Sequence, residues 1–160
     1  MRALIYLLFL YSFPLIAASS LPRGATGFEA GVVSLSDGHG GIIGPSWTYN
    51  FEYQADEVVG FFGQAGSNRA EDNNKKLKQT AFVGGLQLDL LPLEFRLGIA
   101  TTVAEVETDS KHTKNNEIGP MAGATVTVPM GNFKIGSTAT VIRTTTLHST
   151  ALRVMMLLEL

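Results

Sequence analysis

Strict alternation of apolar and polar residues is the feature that most constrains this fold, and it is clearest between Ile43 and Tyr53. The odd-numbered positions of that segment carry Ile, Pro, Trp, Tyr, Phe and Tyr, and the even-numbered positions carry Gly, Ser, Thr, Asn and Glu. Successive side chains of a β-strand point to opposite faces, so the segment predicts a strand with one apolar face and one small, polar face.

The same alternation recurs along the chain and predicts eight strands in an all-β protein. They are Thr26–Leu35, Ile43–Tyr53, Glu57–Gly66, Ala81–Leu90, Leu93–Val103, Ile118–Val128, Phe133–Ile142 and Ala151–Leu160. The predicted connections are tight turns near Tyr53–Asp56, Leu91–Pro92 and Pro129–Asn132, long polar loops over Ser36–Gly41, Ser67–Leu77 and Glu107–Glu117, and a shorter loop over Thr144–Thr150. An even number of strands with short turns at one end and long loops at the other is typical of bacterial outer-membrane β-barrels.

The first 20 residues have the organisation of an export signal. Met1-Arg2 gives a positively charged start, an apolar stretch follows, and small residues occupy Ala17–Ser20. The apolar stretch is shorter than the roughly 20 residues that a spanning helix needs, and Pro14 interrupts it, so a cleaved signal fits better than a membrane anchor. We expect a signal peptide over residues 1–19 and a barrel domain over residues 20–160.

The mature region as a whole resembles the small eight-stranded outer-membrane barrels of the OmpA/OmpX type. The resemblance is one of strand pattern and connection length, and no diagnostic motif carries it. It implies an antiparallel, up-and-down transmembrane β-barrel in the cell outer membrane. One departure concerns the last strand, because many such barrels end in an aromatic residue, whereas this chain ends in Leu160.

The apolar faces could point outward into lipid or inward in a soluble secreted barrel. The polar faces consist mainly of Gly, Ser and Thr, and only 16% of all residues are charged, which is poor composition for a water-exposed exterior. A narrow eight-stranded lumen, in contrast, requires small residues. Five aromatic residues at the short-turn end are also arranged as an interfacial girdle would be, namely Phe28, Phe51, Tyr53, Phe95 and Phe133. These features favour the membrane barrel.

With the apolar faces outward, eight charged residues point into the lumen, most of them near the short turns. They are Glu29, Glu52, Asp89, Glu94, Arg96, Lys134, Arg153 and Glu159. Charges in a confined interior are costly unless they pair, so we expect the three cations to lie among the carboxylates and to plug the barrel at that end. The alternative is a hydrated lumen in which water solvates each charge.

Glycine and serine are frequent in the other half of the lumen, for example at Gly31, Gly44, Ser46, Gly66 and Gly98. Two interpretations remain open at this point. The small residues leave a shallow cavity open to the outside, or they relieve crowding where strands bend.

The residues that carry chemistry in other proteins form no site here. The chain has no cysteine, and its net charge of −2 gives no basic footprint for nucleic acid. His39, His112 and His148 fall in the predicted loops without ligand spacing, so we predict no metal and no cofactor. His148 and Ser149 resemble the residue types of outer-membrane enzymes that act on lipid A, but neighbouring strand residues face opposite sides.

We therefore expect a non-enzymatic outer-membrane barrel that acts as a structural, adhesive or partner-binding surface element. Its lumen is plugged by charge, and its function lies in the long loops. The expected partners are outer-membrane lipid, lipopolysaccharide and a protein that contacts the loops. The alternatives are a lipid A-modifying enzyme, a narrow pore and a soluble secreted β-barrel.

Overall fold

The computed structural model describes residues 23–38 and 40–160, which form a closed barrel of eight antiparallel strands. Each strand pairs with its neighbours in sequence, and β1 also pairs with β8 along twelve residues. The strands are β1 (Arg23–Ser36), β2 (Gly41–Gln54), β3 (Val59–Asp72), β4 (Lys75–Leu90), β5 (Leu93–Thr108), β6 (Lys111–Met130), β7 (Phe133–Arg143) and β8 (His148–Glu159). The up-and-down barrel predicted from the alternation is confirmed. The predicted signal peptide over 1–19, and His39, lie outside the described residues.

The exterior of the barrel carries a continuous belt of exposed apolar side chains. Its members include Trp47 of β2, Phe82 of β4, Leu97 of β5, Val126 of β6 and Leu152 of β8. On β6 the belt extends from Ile118 to Met130. Closure of the sheet gives each strand a hydrogen-bonded neighbour on both sides, which is how a barrel satisfies its backbone groups in lipid. In the described part of the chain, no helix is long and apolar enough to cross a membrane.

The long loops predicted over Ser67–Leu77 and Glu107–Glu117 are wrong, because both segments are mostly strand. Strands β3 and β4 are joined by a two-residue turn, Asn73–Asn74, and β5 and β6 by another, Asp109–Ser110. Beyond the apolar belt both faces of a sheet contact water, so the apolar–polar alternation disappears although the cross-strand hydrogen bonds continue. The connections over 37–40 and 144–147 are also short, with four residues each.

Strands β3 to β6 stay paired with one another beyond the points where their pairing with β2 and β7 stops, and this part forms what we call the protruding sheet, residues 69–78 and 104–120. Pairing of β2 with β3 stops at Ser46 and Asn68, and pairing of β6 with β7 stops at Met121 and Ile142. Within the sheet the hydrogen-bonded ladders continue as far as the turns. For example, Lys75 at the start of β4 pairs with Thr108 at the end of β5. The β3–β4 end of this sheet lies level with the β1–β2 connection, since Nζ of Lys75 is 2.6 Å from Oδ2 of Asp37, whereas β6 continues ten residues beyond its last pair with β7.

Apolar side chains, together with the buried Asn68 and Gln79, occupy the outer half of the lumen. A buried cluster that we call the apolar cap closes it, consisting of Val33, Leu35, Ala70, Leu77, Ala104, Leu147 and Ala151. The inward glycines sit where strands approach closely: a Cβ on Gly31 would lie 2.1 Å from the carbonyl oxygen of Leu152, and one on Gly44 would lie 1.9 Å from that of Arg69. Of the two interpretations of these glycines, relief of crowding is the correct one.

Candidate functional site

The guanidinium of Arg96 lies at the centre of the turn-end half of the lumen. It is fully buried, and Nη1 lies 3.1 Å from Oε1 of Glu29. Its Nη2 contacts Oε1 of Glu52 and lies 3.4 Å from Oε2 of Glu94. Strands β1, β2 and β5 each contribute an inward-facing residue at this level, so strand register and closure of the barrel together bring these four residues into contact. The ring of Phe62 lies beside the guanidinium carbon, 5.7 Å from it.

Arg153 of β8 forms a second layer, farther from the short turns. Its Nη1 lies 3.6 Å from Oε2 of Glu29, which links it to the Arg96 layer. The remaining donors reach uncharged groups: Nε donates to Ser46 at 2.5 Å and Nη1 to Thr140 at 2.9 Å. Oδ1 of Asn68 accepts from Nη2 at 3.3 Å. Arg96 and Arg153 thus share the carboxylate of Glu29, and their hydrogen bonds hold many of the polar side chains of the lumen in place.

The other predicted lumenal charges lie at the margin of this network. Nζ of Lys134 is 4.0 Å from a carboxylate oxygen of Glu94 and equally far from one of Glu159. Asp89 accepts a hydrogen bond from Nε2 of Gln87 at 2.8 Å and makes no ion pair within the described residues. The structure therefore brings seven of the eight predicted residues into one ion-paired network and leaves Asp89 beside it.

Threonine hydroxyls complete the coordination of the buried carboxylates, and sequence reasoning missed them. Thr48 donates to Glu29 at 3.1 Å and Thr127 to Glu94 at 3.1 Å, while Thr138 reaches Glu29 at 3.4 Å. Each threonine occupies an inward position of the alternation, which is the one signal that points to it. Such hydrogen bonds replace part of the hydration that the carboxylates lose on burial.

The five aromatic residues of the predicted girdle are all exposed on the outer surface. Three of them, Tyr53, Phe95 and Phe133, lie within three residues of a short turn. Phe51 lies two residues before Tyr53 on β2. Phe28 lies higher on the barrel, where its ring packs edge-on against Tyr49 with the ring centroids 5.0 Å apart.

The residues weighed for catalysis or metal binding do not converge. His148 is exposed, whereas Ser149 is buried and faces the lumen, so the imidazole is not placed to act on that hydroxyl. His112 is exposed on the outer part of β6. Among the described residues, no group of three histidine, aspartate or glutamate side chains is arranged to hold a metal ion.

Charged side chains on the outward face of the protruding sheet lie in cross-strand rows. In the row nearest the membrane, Glu105 on β5 lies between Lys78 and Lys114, at 3.5 Å and 3.0 Å, and Arg69 continues the row on β3. The hydrogen bond from Lys114 is the main reason why the pKa of Glu105 lies below its usual range, and Lys78 adds to the effect. In the next row, Glu71 pairs with Arg69 and Lys76.

No protein family matches this chain, and no curated protein is detectably similar to it in sequence. Solved structures do match in fold. Ail, the attachment invasion locus protein of Yersinia pestis, superposes with a TM-score of 0.60 at 12% identity, over 89% of this chain and 100% of that one. Neisserial surface protein A gives 0.60 at 15% identity, over 84% and 96% of the two chains. The N-terminal β-barrel domain of Pseudomonas aeruginosa OprF gives 0.55 at 10% identity, over 88% and 100%.

At these identities the comparison establishes the fold. The chain has the fold of the small outer-membrane β-barrels, with an apolar belt on its exterior, and the resemblance inferred from the strand pattern is confirmed at the level of fold.

Proposed function

We propose that this protein is an adhesive or partner-binding element of the outer-membrane surface, and that the protruding sheet is its binding part. The sealed lumen supports this assignment, because the Arg96 layer and the apolar cap obstruct passage through the barrel at two levels. The rigid barrel then serves to present the sheet above the membrane. No enzymatic step is assigned to it.

The observation that carries the proposal is the unpaired outer edge of β6. Residues Lys111–Pro120 have no partner on β7. The 144–147 connection covers the middle of this edge, since Thr146 bonds to Asn115 and Glu117. Residues Lys111–Lys114 are left as an open strand edge with three basic side chains in four positions, counting His112.

An open strand edge binds an extended peptide by adding it to the sheet. Charged residues at such an edge disfavour pairing with most other strands, so the edge pairs preferentially with a segment of opposite charge. For Lys111–Lys114 that partner is an extended, acidic segment of another protein.

Binding of immobilised eight-residue peptides to the protein in outer-membrane vesicles tests this mode of binding. Strand-forming peptides with alternating glutamates should bind outer-membrane vesicles that carry the protein, and backbone N-methylation of the peptides should abolish binding. The Lys111→Glu/Lys114→Glu variant should lose binding. The matched Lys76→Glu/Lys78→Glu variant should keep it, because β4 is paired on both sides. Equal binding by both variants, or by the N-methylated peptides, would exclude the β6 edge as the site.

A second candidate activity concerns anionic lipid. Ail has been crystallised in complex with the heparin analogue sucrose octasulfate, so a barrel of this fold binds a polyanion. In the present chain the row of Arg69, Lys78 and Lys114 lies just above the apolar belt, where lipopolysaccharide phosphates lie. We propose that this row contacts those phosphates and steadies the base of the sheet. Weaker retention of lipopolysaccharide by an Arg69→Ala/Lys78→Ala variant in detergent is the expected result.

A further inference from the structure

A group of hydrogen-bond donors lies on the outer surface of β7, β8 and β1, at the end away from the short turns. Arg143 of β7 lies directly opposite His148 of β8, and on its other side His148 lies opposite Ser36 of β1. Thr150 follows two residues along β8 on the same face. All four side chains face outward, because a residue next to each of them along the chain is buried. We call these four residues the donor patch.

No carboxylate neutralises the donor patch in the part of the chain that the structure describes. Strands β7, β8 and β1 contain two acidic residues, Glu29 and Glu159, and both point into the lumen. Two other carboxylates near this rim are engaged elsewhere, since Asp37 pairs with a lysine of β4 and Glu117 accepts hydrogen bonds from the 144–147 connection. Among the described residues, Arg143 therefore has no ion pair.

The donor patch borders directly on the apolar belt. The next outward residues toward the short turns are the exposed Val141 on β7 and, beyond Thr150, Leu152 on β8. On β6, Ile118 is 72% exposed and precedes Gly119, on which a Cβ would lie 1.9 Å from the carbonyl oxygen of Arg143. This close approach fixes the backbone of Arg143 beside β6. The guanidinium is thus held at the boundary between the apolar belt and the water-exposed rim.

We propose that the donor patch binds the phosphate group of a phosphorylated lipid of the outer leaflet. A guanidinium presents two parallel N–H donors to two oxygens of a phosphate, and Arg143 is free to do so. The imidazole N–H of His148 and the hydroxyls of Ser36 and Thr150 add donors for the remaining oxygens.

The apolar surroundings of the patch favour a lipid over a free anion. With its phosphate at Arg143, a lipid lays its acyl chains along Val141, Leu152 and Ile118, and this contact adds hydrophobic stabilisation that a free phosphate lacks. The site is separate from the row of Arg69, Lys78 and Lys114, because in the closed barrel β8 lies across from β4. The proposal does not depend on that row.

A single fluorophore beside the patch tests the proposal. The chain has no cysteine, so Ser34→Cys introduces one labelling site, and Ser34 lies directly opposite Thr150. With an environment-sensitive dye at this position, titration of the folded protein in detergent micelles with lipid A should give a saturable shift of the emission. Dephosphorylated lipid A with the same acyl chains, and inorganic phosphate, should give no shift at the same concentrations.

Two double variants, each made in the labelled protein, locate the binding. Arg143→Gln/His148→Gln should raise the lipid A concentration at half-saturation about tenfold or more, since hydrogen bonds to a charged group are lost. The matched control, Arg69→Gln/Lys78→Gln, removes two basic side chains from the other side of the barrel and should leave the titration unchanged. Because this control reports on the other row separately, a failure of one proposal is distinguishable from a failure of the other.

Three outcomes would overturn the proposal. An equal shift with dephosphorylated lipid would mean that acyl chains alone occupy this face, and an equal shift with inorganic phosphate would mean a site for free anions. Equal weakening by the two double variants would mean general attraction between charges, with no site at the donor patch. The substituted side chains are exposed, and the gel shift on heating verifies folding. If a variant does not fold, the three ligands on the unsubstituted patch still decide.

Discussion

At the scale of single residues, Arg96 determines how the lumen is held together. It meets three carboxylates from three strands, and the most distant of them in sequence, Glu29, is 67 residues from Arg96. A buried ion pair is not by itself a strong source of stability, because desolvation offsets the attraction. Removal of one partner is different, since the others remain buried without compensation. Three carboxylates that depend on one guanidinium make that cost large.

Arg96→Ala is therefore expected to destabilise the barrel by about 3–5 kcal/mol. The matched control is Arg69→Ala, whose ion pair with Glu71 is exposed and whose loss should cost about 0–1 kcal/mol. Denaturant unfolding in micelles, followed by the fluorescence of the single tryptophan Trp47, measures both. Similar small losses in the two variants would mean that water solvates the lumenal carboxylates individually.

At the scale of elements, the alternation predicted the strands within the membrane and failed outside it. Ile43–Tyr53 could be assigned because lipid on one side and a crowded lumen on the other impose opposite demands on neighbouring residues. Arg69–Asp72 and Lys75–Lys78 face water on the outside, so their sequence resembles a loop although they form a hairpin. The same two-residue alternation indicated which charged side chains point into the lumen. Their partners depend on strand register and on the close approach of strands at inward glycines, which no local pattern encodes.

The 144–147 connection is an element whose position depends on one carboxylate. Thr146 donates its backbone N–H to both oxygens of Glu117, at 2.9 Å and 3.0 Å, and Leu147 beside it is fully buried in the apolar cap. Burial alone would raise the pKa of Glu117. The hydrogen bonds from Thr144, Thr146 and Leu147 outweigh burial, so the pKa lies below its ordinary value.

This lowered pKa predicts a pH dependence of the connection. A carboxyl group whose pKa is lower in the folded state stabilises that state above its unfolded pKa, and the stabilisation is lost as the pH falls through the folded value. The amide of Thr146 should therefore be protected from hydrogen exchange at neutral pH and lose protection as the pH falls below the ordinary range of a glutamate, after correction for intrinsic exchange rates. Glu117→Gln should show the weaker protection at every pH. A wild-type profile that does not change with pH would contradict the role of Glu117.

At the scale of the whole molecule, two barriers lie in series along the barrel axis. The Arg96 layer fills the turn-end half, and the apolar cap, with Leu35, Leu77 and Leu147 fully buried, fills the outer half. Resistances in series add, so the larger remaining barrier controls the passage of ions. An eight-stranded barrel has only enough interior for its own side chains, and here those side chains occupy both halves.

The wild-type protein should therefore conduct little in planar bilayers, and so should Arg96→Ala, because the apolar cap still closes the outer half. Leu77→Ser/Leu147→Ser, which opens the cap alone, should also conduct little, since the Arg96 layer remains. Only the combination of all three substitutions should give steady conductance, larger than the sum of the two separate effects. Single-channel recording of the four proteins, with refolding verified beforehand by the gel shift on heating, measures this directly. Steady conductance in Arg96→Ala alone would show that the apolar cap is permeable and that the lumen is closed by its charged layer only.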